Sequence, residues 1–148
     1  MLALTFQVGA DRVAVDVRRV REVVPWVRVT PASGGPVWLA GVFVYRGRVV
    51  PVVDLHRLTG TGECPPHLSS RVILVPRADS PDELVGLLAT QVADVRDLPA
   101  PPARTAGGPL LGPPVADGAG IIRLLDPDQL LAAIDSLLGT PTRPGTGP

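Results

Sequence analysis

The sequence predicts a mainly β fold. Several short segments alternate apolar residues with polar or small ones, which is the period-two pattern of a strand with one buried face. The apolar content is 45%, and 18 prolines and 16 glycines divide the 148 residues into segments too short for most helices. Only one stretch, near the C-terminus, carries the spacing and the end signals of a helix. The chain is therefore expected to form many short strands and few helices.

The first 25 residues predict a hairpin and a short helical turn. Alternating apolar residues over 2–17 surround a turn at Gly9, which is typical of two antiparallel strands. Valines then recur at helical i, i+3, i+4 spacing over 18–25, before Pro25 ends the segment. We expect this helical turn to cap the hairpin.

The central stretch, residues 41–58, consists of two apolar runs on either side of a turn. Its β-branched residues favour strands, and Gly47 permits a tight turn because glycine accepts a positive φ without steric cost. Arg46 is then presented at the shoulder of that turn. Pro51 cannot donate a backbone hydrogen bond, so the second strand is expected to bend there. Asp54 at the end of the run is expected to accept a local turn or cap hydrogen bond.

The second half predicts another hairpin, a loop, a strand and a helix. Strands are expected over 71–76 and over 84–92, separated by a polar turn. Residues 99–114 are rich in proline and glycine and predict an irregular loop. One more strand is expected over 121–125.

The helix predicted last spans residues 127–138. Asp126 is a suitable N-cap, Pro127 suits the first helical position, and Gly139 can end the helix. We expect residues 1–138 to form one domain and residues 139–148 to be a disordered tail.

Composition argues for a soluble protein whose partners are proteins. The 14 arginines balance 14 carboxylates, so no net charge drives binding to nucleic acid or to an anionic membrane. No secretory leader is evident, and no stretch approaches the ~20 apolar residues of a spanning helix. Cys64 is the single cysteine, which is consistent with a reducing compartment. We expect a cytoplasmic location.

No enzyme site or cofactor site is predicted. Cys64 and His67 have C-x-x-H spacing, but a structural zinc site needs four nitrogen or sulfur ligands, and His56 is the only other candidate. We therefore predict no metal site. A nucleophilic set assembled from Ser69, His56 and Asp54 lacks the strand-elbow-helix context that such a site requires. Phosphate-binding and dinucleotide-binding glycine patterns do not occur.

The central stretch closely resembles the signature G-V-x-x-x-R-G-x-V-V-P-V-x-D-L of CheW-like domains, which are found in bacterial chemotaxis coupling proteins. The match begins at Gly41-Val42 and continues from Arg46 to Leu55. Residues 20–23 also match the V-x-E-V form of that family. The resemblance runs from about Leu4 to about Leu131.

The resemblance implies two SH3-like five-stranded β-barrels lying side by side. It places the crossing between them near residues 51–55. The first lobe is then expected at about 1–50 together with the helix at 127–138. The second lobe is expected at about 51–125.

The resemblance also implies a non-catalytic adaptor function. Such a protein links the cytoplasmic tip of a methyl-accepting chemoreceptor to the regulatory domain of a CheA-type histidine kinase, within receptor arrays at the membrane. By resemblance, the residues expected to contact these partners are Glu22, Val23, Val42, Arg46 and Leu88. The residues expected to form structural turns or hinges are Gly41, Gly47, Pro51 and Asp54.

Alternatives stay open at this point. Arg46 either contacts a partner or forms an internal ion pair with Glu22 or Asp54 that orders the turn. Where many relatives have N-L-R-G this chain has Val44 and Tyr45 before Arg46-Gly47, so the pathway served is either motility or another chemosensory-like process. A second departure places Ala89-Thr90 where many relatives have V-D.

Two other functions remain as alternatives to the adaptor. The domain would be a binding module for a different signalling protein, or a small β-barrel for an oligonucleotide or small ligand. The nucleic-acid alternative is motivated by Arg18, Arg19, Arg21 and Arg28 around Trp26.

Overall fold

The computed structural model describes residues 1–25, 29–31, 34–62, 64, 70–92, 94–100, 109–118 and 120–137. Within these residues the chain forms ten β-strands, one 3₁₀ turn at Val17–Arg19 and two α-helices, so the mainly β prediction is confirmed. In chain order the elements are β1 (Leu2–Val8), β2 (Asp11–Asp16), β3 (Glu22–Pro25), β4 (Leu39–Tyr45), β5 (Arg48–Asp54), α1 (Leu55–Leu58), β6 (Arg71–Pro76), β7 (Leu84–Ala89), β8 (Val95–Asp97), β9 (Leu111–Ala116), β10 (Ile121–Leu125) and α2 (Pro127–Leu137).

The strands form two five-stranded sheets. One sheet, here the central sheet, has the order β3-β6-β7-β5-β4 and comes from the middle of the chain. The other, here the terminal sheet, has the order β8-β1-β2-β10-β9 and combines the first strands with the last. Each sheet contains a parallel pair, β5 with β7 and β2 with β10, among otherwise antiparallel neighbours. The prediction of two five-stranded β units is thus confirmed.

Strand periodicity divides the core into a shared part and two sheet-specific parts. In β1, Leu4, Phe6 and Val8 point toward the core between the sheets, whereas Ala3 lies in a separate cluster of the terminal sheet. The central sheet has its own second cluster, which includes Val50 and Val52. Helix α2 covers the shared core with Leu130, Leu131 and Ile134.

The expected division of the lobes near residue 50 is wrong. Strands β4 and β5 pair as one antiparallel hairpin, and β5 pairs in parallel with β7, so residues on both sides of position 50 belong to one sheet. The hairpin of β1 and β2 takes its partners from β8 and β10 instead. The long-range parallel pair β2–β10 leaves no local signal in the sequence, which is why the boundary was misplaced.

Two local predictions also differ from the structure, and one short strand was not predicted. The segment 22–25 is a strand paired with β6, and helical structure is limited to the preceding 3₁₀ turn. Strand β9 begins inside the expected loop at 99–114, and β8 was not predicted. The predicted start of α2 is confirmed, because Asp126 Oδ1 accepts hydrogen bonds from the backbone N–H of Asp128 and of Gln129. The expected tail at 139–148 lies outside the described residues.

Gly41 is required by a close backbone approach. Its φ is 150°, and a Cβ atom at this position would lie 2.1 Å from the carbonyl oxygen of Thr30. Thr30 exchanges two backbone hydrogen bonds with Val42, so the approach belongs to the edge of the central sheet. Among the described residues, no helix has the length and apolar character needed to cross a membrane.

Candidate functional site

The turn between β4 and β5 presents Arg46 to solvent. Arg46 and Gly47 have φ values of 49° and 80°, and positive φ at both central residues is the type I′ geometry of a two-residue hairpin. The Arg46 side chain is 77% exposed. A non-glycine residue in the left-handed region is uncommon, and here it holds the arginine at the tip of the hairpin.

Glu22, Tyr45 and Arg46 form a polar cluster that links the two end strands of the central sheet. The Tyr45 hydroxyl donates a hydrogen bond to Glu22 Oε1, and Arg46 Nη2 lies 3.5 Å from the same oxygen. The Arg46 guanidinium lies 5.3 Å from the centroid of the Tyr45 ring. The hydrogen bond to Glu22 raises the pKa of Tyr45 above its ordinary value. The ion pair between Arg46 and Glu22 is weak, because it is long and both side chains are exposed.

An apolar pair lies next to this cluster. Val44 and Val49 face each other across the β4–β5 hairpin, and each is 69% exposed. Val42, on the same outward side of β4, lines one shallow depression with Val44, Tyr45 and Arg46. We call the combined surface the docking face and define it by the residues Glu22, Val42, Val44, Tyr45, Arg46 and Val49.

The structure brings together three of the five predicted contact residues. Glu22, Val42 and Arg46 all lie on the docking face. Val23 instead packs half-buried against the shared core. Leu88 is only 3% exposed within the cluster of the central sheet, so its expected role as a contact residue does not fit its burial.

The predicted turn residues have identifiable structural positions. Gly47 is in the hairpin turn, and Gly41 is at a register shift between β4 and β5. Pro51 immediately precedes Val52, where the parallel pairing of β5 with β7 starts. The buried carboxylate of Asp54 caps α1, since Oδ1 accepts from His56 N at 2.9 Å.

The two departures from the family pattern differ in location. Val44 is exposed on the docking face. Thr90 is buried and joins the two sheets, because it forms a backbone bridge with Gln7 and its hydroxyl donates to the Gln7 carbonyl oxygen at 3.2 Å. Only the first departure therefore changes a surface that a partner can reach.

Two of the arginines that motivated a nucleic-acid site form ion pairs with carboxylates of the same chain. Arg18 pairs with Asp16 at 2.8 Å, and this contact lowers the pKa of Asp16. Arg19 pairs with Asp128 on α2, also at 2.8 Å. Trp26 and Arg28 lie outside the described residues. Paired arginines have less charge to offer to phosphates, which weakens the nucleic-acid alternative.

A second polar group is buried at the start of α1. Each of Asp54, His56 and Cys64 offers one atom that could bind a metal ion, and these three atoms all lie within 4.8 Å of one another. Burial lowers the pKa of His56, and the nearby Asp54 carboxylate opposes that shift only in part. The sequence suggested Cys64 with His67 as possible zinc ligands and Ser69 as a possible nucleophile, but His67 and Ser69 lie outside the described residues.

Sequence reasoning missed Tyr45, Val44 and Val49 as surface residues. Alternation along β4 and β5 was visible in the sequence, but it does not say which face is covered. Once the hairpin register is known, Val44 opposite Val49 identifies the outward face. Tyr45 is recognisable only through its contact with Glu22, 23 residues away.

Comparison with known proteins agrees with the fold. The family model of the CheW-like domain matches residues 2–135. The crystal structure of scaffolding protein TtCheW from Thermoanaerobacter tengcongensis superposes with a TM-score of 0.70 and 24% identity, covering 84% of this chain and 83% of that one.

The sequence relatives support the same family as the family model does. The chemotaxis protein CheW of Rhizobium meliloti is 34% identical over 92 residues, which is 62% of this chain and 57% of the relative. Protein PilI of Pseudomonas aeruginosa is 30% identical over 94 residues, 64% of this chain and 51% of that protein. The matched part spans a little over half the length of these relatives. Because the family model covers nearly all of the sequence, the chain belongs to the CheW-like domain family.

Proposed function

We propose that this chain is a non-catalytic cytoplasmic adaptor that couples chemoreceptors to a CheA-type histidine kinase. Its family membership supports the general role, and the docking face is the observation that carries the specific proposal. An exposed cation, a hydrogen-bonded tyrosine and an apolar pair lie side by side at the edge of one sheet. Such a combination suits recognition of a protein surface.

The chemistry of the docking face favours a receptor helix that carries a carboxylate. Arg46 has five donors in a planar fork, and its contact with Glu22 leaves most of them available. Val44 and Val49 supply apolar area that a partner can cover. A helix that lays an apolar stripe on the valines and a carboxylate on Arg46 satisfies both features.

Coupling requires a second, separate surface. An adaptor transmits a signal only if both partners are bound at once, so the kinase regulatory domain is assigned to a surface other than the docking face. The output is then geometric, because receptor motion changes the position of the kinase. Loss of either contact abolishes coupling without altering the fold.

Binding assays with variants that place a negative charge on the docking face test the proposal. Arg46→Glu and Val44→Asp are expected to weaken binding to a receptor cytoplasmic fragment by about tenfold or more, since each places a repulsive or unsatisfied charge in the contact. Binding to the kinase regulatory domain is expected to stay unchanged. Pull-down and titration with purified partners measure both.

Two variants serve as matched controls. Arg48→Glu makes the same charge change two residues away on the same hairpin, and Val95→Asp makes the same apolar-to-acid change at a 55% exposed valine of the terminal sheet. Both are expected to bind receptor normally. Folded Arg46→Glu and Val44→Asp proteins that bind receptor as the wild type does would overturn the assignment.

A further inference from the structure

Three metal-binding side chains meet in the interior of the protein. Asp54 ends β5, His56 lies in the first turn of α1, and Cys64 reaches the same place from the following connection. All three are buried, and a carboxylate oxygen, an imidazole nitrogen and the thiol sulfur lie within 4.8 Å of one another. The residues are ten positions apart at most, but sequence spacing alone does not show that they converge.

His56 carries an unsatisfied buried nitrogen at this place. Its side chain is 5% exposed, and Nδ1 has no hydrogen-bond partner among the residues that the structure describes. Asp54 Oδ1 lies 3.8 Å from Nδ1, which is too long for a hydrogen bond. A buried polar atom without a partner is costly in a native protein, and it therefore needs an explanation such as a bound ion.

The carboxylate is already fixed in position by the backbone. Asp54 Oδ1 accepts from His56 N at 2.9 Å and from Arg57 N at 3.4 Å, and Oδ2 accepts from Cys64 N at 3.0 Å. Oδ2 accepts only one of these three bonds, so it has a further lone pair to offer. These bonds tie the two neighbouring ligands to the same carboxylate, which is how supporting contacts orient a metal site.

The cluster has a route to solvent. Asp54, Cys64 and Arg57 line a cleft whose other lining residues include Leu88 and residues 35–37. Half-buried Arg57 lies on this route, with Nε 3.8 Å from Asp54 Oδ2. The cleft provides both an entry path and space for a water molecule as an additional ligand.

We propose that Asp54, His56 and Cys64 form a binding site for a thiophilic divalent cation of the Zn²⁺ class, with water from the cleft in the fourth position. One thiolate, one carboxylate and one neutral imidazole suit such an ion in both donor type and charge. Binding releases the thiol proton to solvent. The site revises the prediction of no metal site, which counted only nitrogen and sulfur donors and overlooked Asp54.

Metal titration of the purified full chain tests the proposal. Co²⁺ is expected to bind at one equivalent and to produce a thiolate-to-cobalt charge-transfer absorption. Zn²⁺ is expected to displace it and to raise the thermal unfolding midpoint, because a ligand that binds only the folded state stabilises it. The Cys64→Ser protein is expected to lose the charge-transfer absorption, and His56→Gln to bind Zn²⁺ at least about tenfold more weakly.

The matched control is His67→Ala, which removes the other histidine and leaves the cluster intact. It is expected to bind both ions as the wild type does. The proposal is overturned if the wild type shows no charge-transfer absorption with Co²⁺. It is also overturned if folded His56→Gln keeps wild-type affinity, or if His67→Ala loses binding while His56→Gln keeps it.

Discussion

The central and terminal sheets have the same arrangement although they are built from different parts of the chain. Each contains an end strand, an antiparallel hairpin, a parallel pair and a second hairpin, in the same spatial order. The strands run 3-4-5-6-7 along the chain in the central sheet and 8-9-10-1-2 in the terminal sheet. Helix α1 follows β5, and α2 follows the corresponding strand β10. The terminal sheet is therefore a circularly permuted version of the central one.

The corresponding hairpin tips differ in how firmly they are held. In the terminal sheet, Asp117 follows β9 and pairs with Arg12 at 2.7 Å and with Arg96 on β8 at 3.2 Å, and its side chain is only 2% exposed. In the central sheet the corresponding pair is Arg46 with Glu22 on β3, with the charges reversed. One tip is locked by a buried carboxylate, whereas the other keeps its charge at the surface. The charge at the β4–β5 tip is therefore the more accessible of the two.

The largest difference between the two sheets is expected when the charge at each hairpin tip is removed and the loss in free energy of unfolding is compared. Asp117→Asn is expected to lower the free energy of unfolding by about 2–3 kcal/mol, because two arginines lose a shared, buried carboxylate. Arg46→Ala is expected to cost less than about 1 kcal/mol, since its pair is exposed. Denaturant unfolding measures both values. Equal losses would show that the two tips are held alike.

The two helix caps provide a second contrast. Asp54 is buried and accepts three backbone hydrogen bonds, one of them from Cys64, whereas Asp126 is half-buried before α2. Asp54→Ala is expected to cost about 2 kcal/mol and Asp126→Ala about 1 kcal/mol. Thermal unfolding of the metal-free proteins gives the comparison. A larger loss for Asp126→Ala would contradict it.

The smallest effect concerns the proton on Tyr45, which is the single tyrosine in the chain. Because the hydrogen bond to Glu22 raises its pKa, the folded state keeps this proton to a higher pH than the unfolded chain does. The stabilisation is therefore complete below about pH 10 and is lost as the pH rises through the raised pKa. Ultraviolet titration of the phenol is expected to show that pKa, and Glu22→Gln should lower it.

An unchanged Tyr45 titration in folded Glu22→Gln would mean that another group raises the pKa. Arg48→Gln is the matched control for this measurement. It changes a neighbouring exposed charge on the hairpin without removing the hydrogen bond to the phenol.

Local patterns predicted the longer strands, whereas pairings across the chain were out of reach. The alternation of β1 and β2 and the apolar runs around Arg46-Gly47 specify strands directly. Strand β8 has only three residues, and β9 contains Pro113 and Pro114, so neither carries a recognisable strand signal. The sheet that each hairpin joins depends on contacts between distant segments, which local periodicity does not encode.

The same limit applies to the sites. Glu22 and Arg46 were recognised from a family motif, but their contact with Tyr45 depends on the meeting of β3 with β4. The burial of Leu88 was not predictable, because an apolar residue in a strand has the same sequence pattern whether it faces a groove or the core. Asp54, His56 and Cys64 converge only after α1 and the connection behind it have folded.

The parallel pairing of β2 with β10 has a consequence for synthesis on the ribosome. Val13 and Ala14 cannot form this pairing until Arg123 and Leu124 have left the ribosome, which happens much later in synthesis. The central sheet finishes first, while the opening hairpin still has an open flank of unpaired backbone groups. Such a flank is a site for erroneous association, so nascent chains arrested before β10 should depend most on chaperones.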